Sequence, residues 1–338
     1  MGKRIAVVGT GANGAAIAAS MTRAGLNVTC IEQWPEHVGA ITRDGLTVNS
    51  ASGQTVTRLS AINLCDVATL REPFDIVFVV VKGYDTRWAC ELILPLLRPD
   101  SLVVGVQNGM TIDDMADVVG AHRTVGCVIE VAANMFEPGI VNQQTGMWFA
   151  LGSEDATTQA RVADVADVLS TAGEVEIVTD IRSSKWMKLV ANAAELVTSA
   201  ILDLPLLDAI ALPGMHEFMT ETGREAGRTA VALGNKIVPI FGMADIDTSS
   251  PDAFATELLD RVLNDYSLPD TRTTVLQDWM KGRRAEIEEI NGLVVREQER
   301  LGGSVPANEI TLRLARQIEA GELAAGPHLA ERLSAVLK

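Results

Sequence analysis

Through the first half of the chain, short apolar runs alternate with longer amphipathic segments. RIAVVGTG reads as a buried strand, NGAAIAASMTRAG as a helix and NVTCIEQ as the next strand. FDIVFVVVK is a longer apolar run suited to a central parallel strand, and SLVVGVQNG repeats it after the helix DTRWACELILPLL. Strands separated by helices of that length predict βαβ units and a parallel sheet. GLTVNSASGQTVTRLSAINL predicts a small inserted hairpin. TVGCVIEVAANMFEPGIVNQQTGMWFALGS predicts further strands around a Pro-Gly turn.

From about residue 183 the periodicity becomes helical. Helices are predicted over 183–202, 213–235, 252–265, 271–300 and 307–319, with FGMADIDTSSPDAF as a loop or a capped helix start. No internal repeat is found. The pattern predicts an α/β chain: a Rossmann-type doubly wound sheet over residues 1–182, then an all-helical domain over 183–338. The first of these helices holds an anomaly. Trp186, Leu189, Val190, Ala193, Val197 and Ile201 form an apolar rod, yet Lys188, Asn192, Glu195 and Ser199 fall at steps of four, three and four. Four polar groups thus share one stripe. Burying a lysine costs roughly several kcal/mol unless it is paired or faces a wet cavity. Lys188 therefore either snorkels to water, pairs with Glu195, or serves a cleft near the domain junction.

Composition narrows the functions. The 338 residues are 47% hydrophobic with a formal net charge of −16, which argues against general electrostatic binding of nucleic acid or anionic membrane. Cys30, Cys65, Cys90 and Cys127 are far apart with no CxxC pair, and the four histidines, His37, His122, His216 and His328, are scattered. Neither a disulfide framework nor a metal site is expected. The N-terminus runs straight into a strand, which argues against a signal peptide and against myristoylation of Gly2. No apolar run suggests a membrane span. A cytoplasmic protein is the expectation.

The first strand runs into Gly9-Thr-Gly11-Ala-Asn13-Gly14, which opens a helix. That context makes GxGxxG a dinucleotide fingerprint and residues 1–182 a dinucleotide-binding domain. Gly9 permits the tight turn, Gly11 lets backbone approach a pyrophosphate, and Gly14 lets the helix pack on the sheet. The helix N-terminus offers N–H groups to the phosphates. Glu32 closes the second strand, where a carboxylate accepts from ribose hydroxyls and repels a 2′-phosphate. NAD is therefore expected in preference to NADP. The bland alternatives are a glycine-rich turn and a strand-end carboxylate.

Four more stretches bear on identity: VVVKGYDT with Lys82, GVQNGM with Asn108, KWMKLVANAA with Lys188 and Asn192, and the long segment from Thr274 through Glu286 and Ile290-Asn291-Gly292. Together with the glycine loop they resemble the ketopantoate reductase (2-dehydropantoate 2-reductase) family, in order and over nearly the whole chain. The resemblance implies that Lys188 is the general acid that protonates the ketone oxygen, or the base in reverse. It implies that Asn192 helps hold the substrate, with Thr274 in the place of a substrate-binding serine; Glu195 is new against the family and adds a negative charge to the pocket wall if it points inward. Lys82 and Asn108 would lie beside the nicotinamide half, and Glu286 would be a cofactor-binding carboxylate. The helical domain would then carry substrate binding and dimerisation, in a homodimer. On residue type alone, Lys82 also suits a solvated strand end, Asn108 a turn, and Glu286 an exposed helix carboxylate paired with Arg283 or Arg284.

The chain also departs from that family. Asparagines that the family usually carries one turn beyond Asn192, and just after Pro205, are Leu196 and Leu206 here. Family biosynthetic reductases commonly use NADPH and place a basic residue where this chain has Glu32. Some similar proteins are NAD-dependent D-2-hydroxy acid dehydrogenases acting on bulkier, apolar substrates, which Leu196 and Leu206 would suit. The leading expectation is an NAD(P)-dependent oxidoreductase of a small 2-oxo or 2-hydroxy acid. Reduction of ketopantoate to pantoate is the alternative within the enzyme class. A dinucleotide-binding sensor without turnover and a structural oligomer stand outside it.

Overall fold

The computed structural model describes residues 2–338. They fall into two compact units, Met1–Arg182 and Ser183–Lys338. The first unit runs β1 (Arg4–Val8), α1 (Ala12–Arg23), β2 (Asn27–Glu32), α2 (Pro35–Asp44), β3 (Leu46–Ser50), β4 (Gly53–Thr57), β5 (Ser60–Asn63), β6 (Phe74–Val79), α3 (Thr86–Ile93) and β7 (Leu97–Gly105). It continues through α4 (Ile112–Val119), β8 (Thr124–Glu130), β9 (Ala133–Glu137), β10 (Ile140–Gln143), β11 (Trp148–Gly152), α5 (Ala156–Gln159), α6 (Ala163–Leu169) and β12 (Glu174–Ile177).

The main sheet has the order β12-β11-β8-β7-β6-β1-β2-β5. Its strands are parallel except at the β8–β11 pair, which is antiparallel. Alternation along β1 explains the layering. Ile5 and Val7 join one buried cluster with Ile76, Phe78 and Val104, while Ala6 and Val8 join a second with Val77, Val79 and Val103. A sheet buried on both faces needs such continuous apolar strands. Each fully buried valine, isoleucine or phenylalanine contributes about 1.5–3 kcal/mol.

The inserted hairpin is present as β3 and β4, with Ser50 opposite Gly53. It does not stand alone: β3 pairs with β10, giving a second sheet in the order β4-β3-β10-β9. The last strand of the stretch read as a hairpin, β5, joins the main sheet beside β2.

The second unit is helical: α7 (Ile181–Leu202), α8 (Leu206–Ile210), α9 (Met215–Ala232), α10 (Pro251–Arg261), α11 (Thr274–Met280), α12 (Asn291–Arg300), α13 (Pro306–Glu319) and α14 (Ala330–Ser334). The continuous helix predicted over 271–300 is broken. The N–H of Arg283 donates to the Asp278 carbonyl at 2.8 Å, and Gly282 takes φ +64, which ends α11 in a left-handed turn. Residues 281–290 run through turns and irregular chain before α12 begins. Ser250 caps α10 by accepting from the Ala253 N–H, so FGMADIDTSSPDAF ends in a capped helix start.

Candidate active site

In the first unit the parallel strands end level with one another. Val8 is in register with Ile31 on one side and Val79 on the other, and Val79 with Gly105. The chain leaves β1 for β2 on one side and later returns to β6 on the other. Between them lies the crevice where doubly wound sheets bind ligands, outside the carboxyl ends of the strands. The glycine loop leaves β1 there. Half-buried Lys82 follows β6, and half-buried Asn108 follows β7. Sequence-distant residues are thus set on neighbouring strand ends.

The loop fits a pyrophosphate. Gly9 has φ +87, and a Cβ there would lie 2.8 Å from Val81 Cγ1. A Cβ on Gly14 would run into the Gly9 carbonyl. A Cβ on Gly11 would meet nothing within 4 Å, so its backbone faces open space. Gly11 caps α1 with no side-chain hydrogen bond, and no acidic residue occupies the first turn, where Asn13 lies half-buried. The N–H groups and positive end of the helix dipole therefore point to space suited to an anion.

Glu32 is buried and does more than the sequence indicated. Its Oε2 accepts from the Thr10 N–H at 2.6 Å and the Thr10 hydroxyl at 2.9 Å. Its Oε1 accepts from the N–H groups of Gln33 at 2.8 Å and Trp34 at 3.0 Å. A carboxylate has about four acceptor positions, so these donors fill them. Ribose hydroxyls would have to share this carboxylate with the loop it anchors. His37, not singled out from the sequence, extends the anchor. Its Nδ1 accepts from the Gly139 N–H at 2.8 Å, so its Nε2 carries the proton and donates to the Thr10 carbonyl at 2.9 Å. Burial pushes this imidazole below its ordinary 6.5, against weaker upward pulls from the Glu32 charge and the Thr10 carbonyl. Gln107 was also missed. Its Nε2 donates to Thr86 Oγ1 at 2.6 Å and its Oε1 accepts from the Thr111 hydroxyl at 3.2 Å, bracing the loops after β6 and β7.

In the second unit, α7 sorts the polar stripe into unlike roles. Ser199 donates to the Leu204 carbonyl at 2.8 Å and serves the helix end. Glu195 is buried. Asn192 is 1% exposed, and its Nδ2 has no protein partner. Such an orphan costs about 1–3 kcal/mol unless a ligand or water satisfies it. Lys188, one turn earlier, is half-buried, and its Nζ lies 4.7 Å from the centroid of the Phe241 ring.

Thr274 begins α11 with its hydroxyl oxygen buried and unpartnered. Its neighbour Thr273 donates to the Leu196 carbonyl at 2.9 Å, and the Leu206 N–H donates to the Thr271 carbonyl at 3.0 Å. The segment 271–274 is thereby bound to both leucines that replace family asparagines. Glu286 is buried in the turn before α12 rather than exposed on a helix.

Residues 5–155 match the family described as ketopantoate reductase PanE/ApbA, and residues 180–319 match its C-terminal part. This chain belongs to the ketopantoate reductase family. A 2-dehydropantoate 2-reductase of Archaeoglobus fulgidus is 26% identical over 321 residues, covering 94% of this chain and 99% of that protein. The crystal structure of a PanE/ApbA family ketopantoate reductase from Ralstonia eutropha JMP134 is 28% identical, with a TM-score of 0.80 over 94% of this chain and 99% of that one. The ternary structure of D-mandelate dehydrogenase with NADH and anilino(oxo)acetate is 20% identical, with a TM-score of 0.82 over the same shares, and has the same fold. As a ketopantoate reductase family member, the chain is an oxidoreductase acting on a CH–OH group of a 2-oxo/2-hydroxy acid pair. Among the described residues, no helix is long and apolar enough to cross a membrane.

Proposed function

We propose that this family member is an NAD-dependent dehydrogenase of an apolar 2-oxo/2-hydroxy acid, with Lys188 as general acid and base. The observation that carries the reading is the pairing on α7 of half-buried Lys188 with Asn192, whose buried amide lacks a partner. A bound nicotinamide supplies or takes the hydride. Lys188 gives its proton to the ketone oxygen as the alkoxide forms, or takes the hydroxyl proton in reverse, which general acid–base catalysis requires at that oxygen. The Asn192 amide orients the substrate, with Thr274 supplying a hydroxyl and Glu195 a charged wall. Gly9, Gly11, Asn13 and Gly14 hold the pyrophosphate, Lys82 and Asn108 the nicotinamide half, and Glu286 a cofactor hydroxyl.

The NAD preference rests on Glu32. A 2′-phosphate at the end of β2 would meet a carboxylate, and the Gln33 and Trp34 N–H groups there already donate to it. The apolar substrate rests on buried Leu196 and Leu206. Reduction of ketopantoate to pantoate is the second reading, supported by the 2-dehydropantoate 2-reductases among the relatives. A homodimer follows the family likeness and is checked by light scattering.

The deciding experiment titrates the purified protein with NADH and NADPH by fluorescence, then follows absorbance with ketopantoate and a panel of 2-oxo acids. Tighter NADH binding with turnover of apolar 2-oxo acids supports the proposal. NADPH-dependent turnover of ketopantoate alone establishes the second reading. Cofactor binding without any turnover would mean a sensor. Lys188→Ala should lower kcat about 100-fold or more while NADH still binds.

A further inference from the structure

Two non-glycine residues among those described have left-handed backbone, Asp203 at φ 52 and Phe241 at φ 58. Asp203 directly follows α7, and the Leu204 N–H donates back to the Ser199 carbonyl at 3.3 Å, an ordinary helix ending. Phe241 ends no helix. It lies in segment 233–250 between α9 and α10, an irregular stretch longer than compact domains usually hold without a functional reason. The segment is nevertheless packed, with Ile240, Phe241, Met243 and Ile246 buried.

Several contacts hold Phe241 in this costly conformation. The Tyr266 hydroxyl donates to its carbonyl at 3.0 Å, and the two rings lie 5.6 Å apart, tilted by 52°. The Met243 N–H donates to the Ile240 carbonyl at 3.0 Å, closing a turn around it. The Lys236 N–H donates to Ser183 Oγ at 2.9 Å, fastening the segment to the first turns of α7. The outcome is a ring face 4.7 Å from Lys188 Nζ. Strain in a bulky residue, over-determined by its surroundings, marks a placement that matters.

We infer that Phe241 is a positioning residue for Lys188, a role that rests on the proton-transfer reading above. A lysine ammonium rides on a flexible four-carbon stem, whereas a general acid must sit within about 2.6–3.2 Å of the oxygen it serves. The ring face attracts the cation without consuming a conventional acceptor. Segment 233–250 thus aims the side chain on which turnover depends.

The test compares Phe241→Leu, which keeps apolar bulk, with Phe241→Tyr, which keeps the ring. Phe241→Leu should lower kcat about tenfold with KM and NADH affinity changed less than threefold, and Phe241→Tyr should restore kcat to within threefold of the parent. Unchanged kcat in Phe241→Leu, or equal loss in both variants, overturns the inference. A measurement on the parent chain covers the case in which the variants fail to fold. After reductive ¹³C-methylation, the methyl protons of dimethylated Lys188, assigned by their loss in Lys188→Arg, should be shifted upfield by the ring. An unshifted signal overturns the inference. A parent enzyme that turns over no 2-oxo acid while keeping the upfield shift defeats the functional reading and leaves the ring contact standing. An active parent with no shift defeats the inference alone.

Discussion

The Asn291 side chain donates to the Ala193 carbonyl of α7 at 3.0 Å, one residue beyond Asn192. The same amide donates to Asn308 Oδ1 at 2.9 Å. Asn308 in turn donates to Glu225 Oε2 at 2.9 Å and to the Thr222 carbonyl at 3.0 Å. Glu225 also accepts the Ala307 and Asn308 N–H groups at the start of α13. This buried chain ties α7, α9, α12 and α13 together and fixes how α7 is rotated. Asn291→Ala removes its middle link and should cost about 1–3 kcal/mol in urea denaturation. It should also lower kcat, because Asn192 and Lys188 lose their fixed support, with NADH affinity nearly unchanged. A stability loss below about 0.5 kcal/mol would show that the chain is not a brace.

His37 makes the first unit sensitive to acid. Its folded-state pKa lies below its ordinary 6.5, chiefly because it is buried. Between the folded and unfolded values the unfolded chain binds the extra proton, so stability rises with pH there. The His37 contribution is therefore intact above about pH 6.5 and is lost as pH falls toward the lower folded value. Protonation also removes the lone pair that accepts from the Gly139 N–H. The parent should lose melting temperature between pH 7 and pH 5.5, and His37→Gln, less stable at pH 7, should lose less over that range. Parallel curves for the two proteins would remove His37 as the cause.

The βαβ frame was legible because two-sided burial forces long apolar strands, and the glycine loop because its context is so constrained. Lys188 drew attention as a charge on a greasy helix, and its half-buried position on α7 fits that reading. The helix predicted over 271–300 was misread because Arg283–Ile290 is rich in helix formers, while its break depends on a local turn at Gly282. Thr10 and Gln107 sit inside quoted motifs at positions those motifs leave open, and His37 lies outside them. Their importance lies in hydrogen bonds between residues far apart in sequence, such as Thr10 with Glu32 and His37 with Gly139. Phe241 was equally hidden, since left-handed backbone at a phenylalanine has no sequence signal.

Glu32 is expected to act as both anchor and filter. Glu32→Gln keeps the shape but places an NH₂ group against one of two pairs of donors, Thr10 or Gln33 with Trp34. NADH affinity should fall about tenfold or more, equivalent to roughly 1.4 kcal/mol, and the melting temperature should drop with it. The ratio of NADPH to NADH affinity should rise, because the charge facing a 2′-phosphate is gone. Fluorescence titration with both cofactors reads each effect. An unchanged melting temperature with a changed cofactor ratio would reduce Glu32 to a filter and deny it the anchoring role.

Leu196 and Leu206 offer the sharpest test of substrate class. Both are buried, and their backbones are tied to segment 271–274. An apolar wall leaves a hydroxyl of a bound substrate without a partner, a loss of about 1–3 kcal/mol for each missing bond. Leu196→Asn with Leu206→Asn puts amides back where the family usually has them. Without ligand, the two buried amides should lower stability by about 1–3 kcal/mol each. With ligand, kcat/KM for ketopantoate, which carries a hydroxyl, should rise about 10- to 100-fold relative to an unhydroxylated 2-oxo acid of similar size. Added ketopantoate should also recover part of the lost melting temperature, because binding to the folded state alone stabilises it. If the parent already prefers ketopantoate and the double variant leaves that preference unchanged, these leucines do not contact the part of the substrate that distinguishes the two acids.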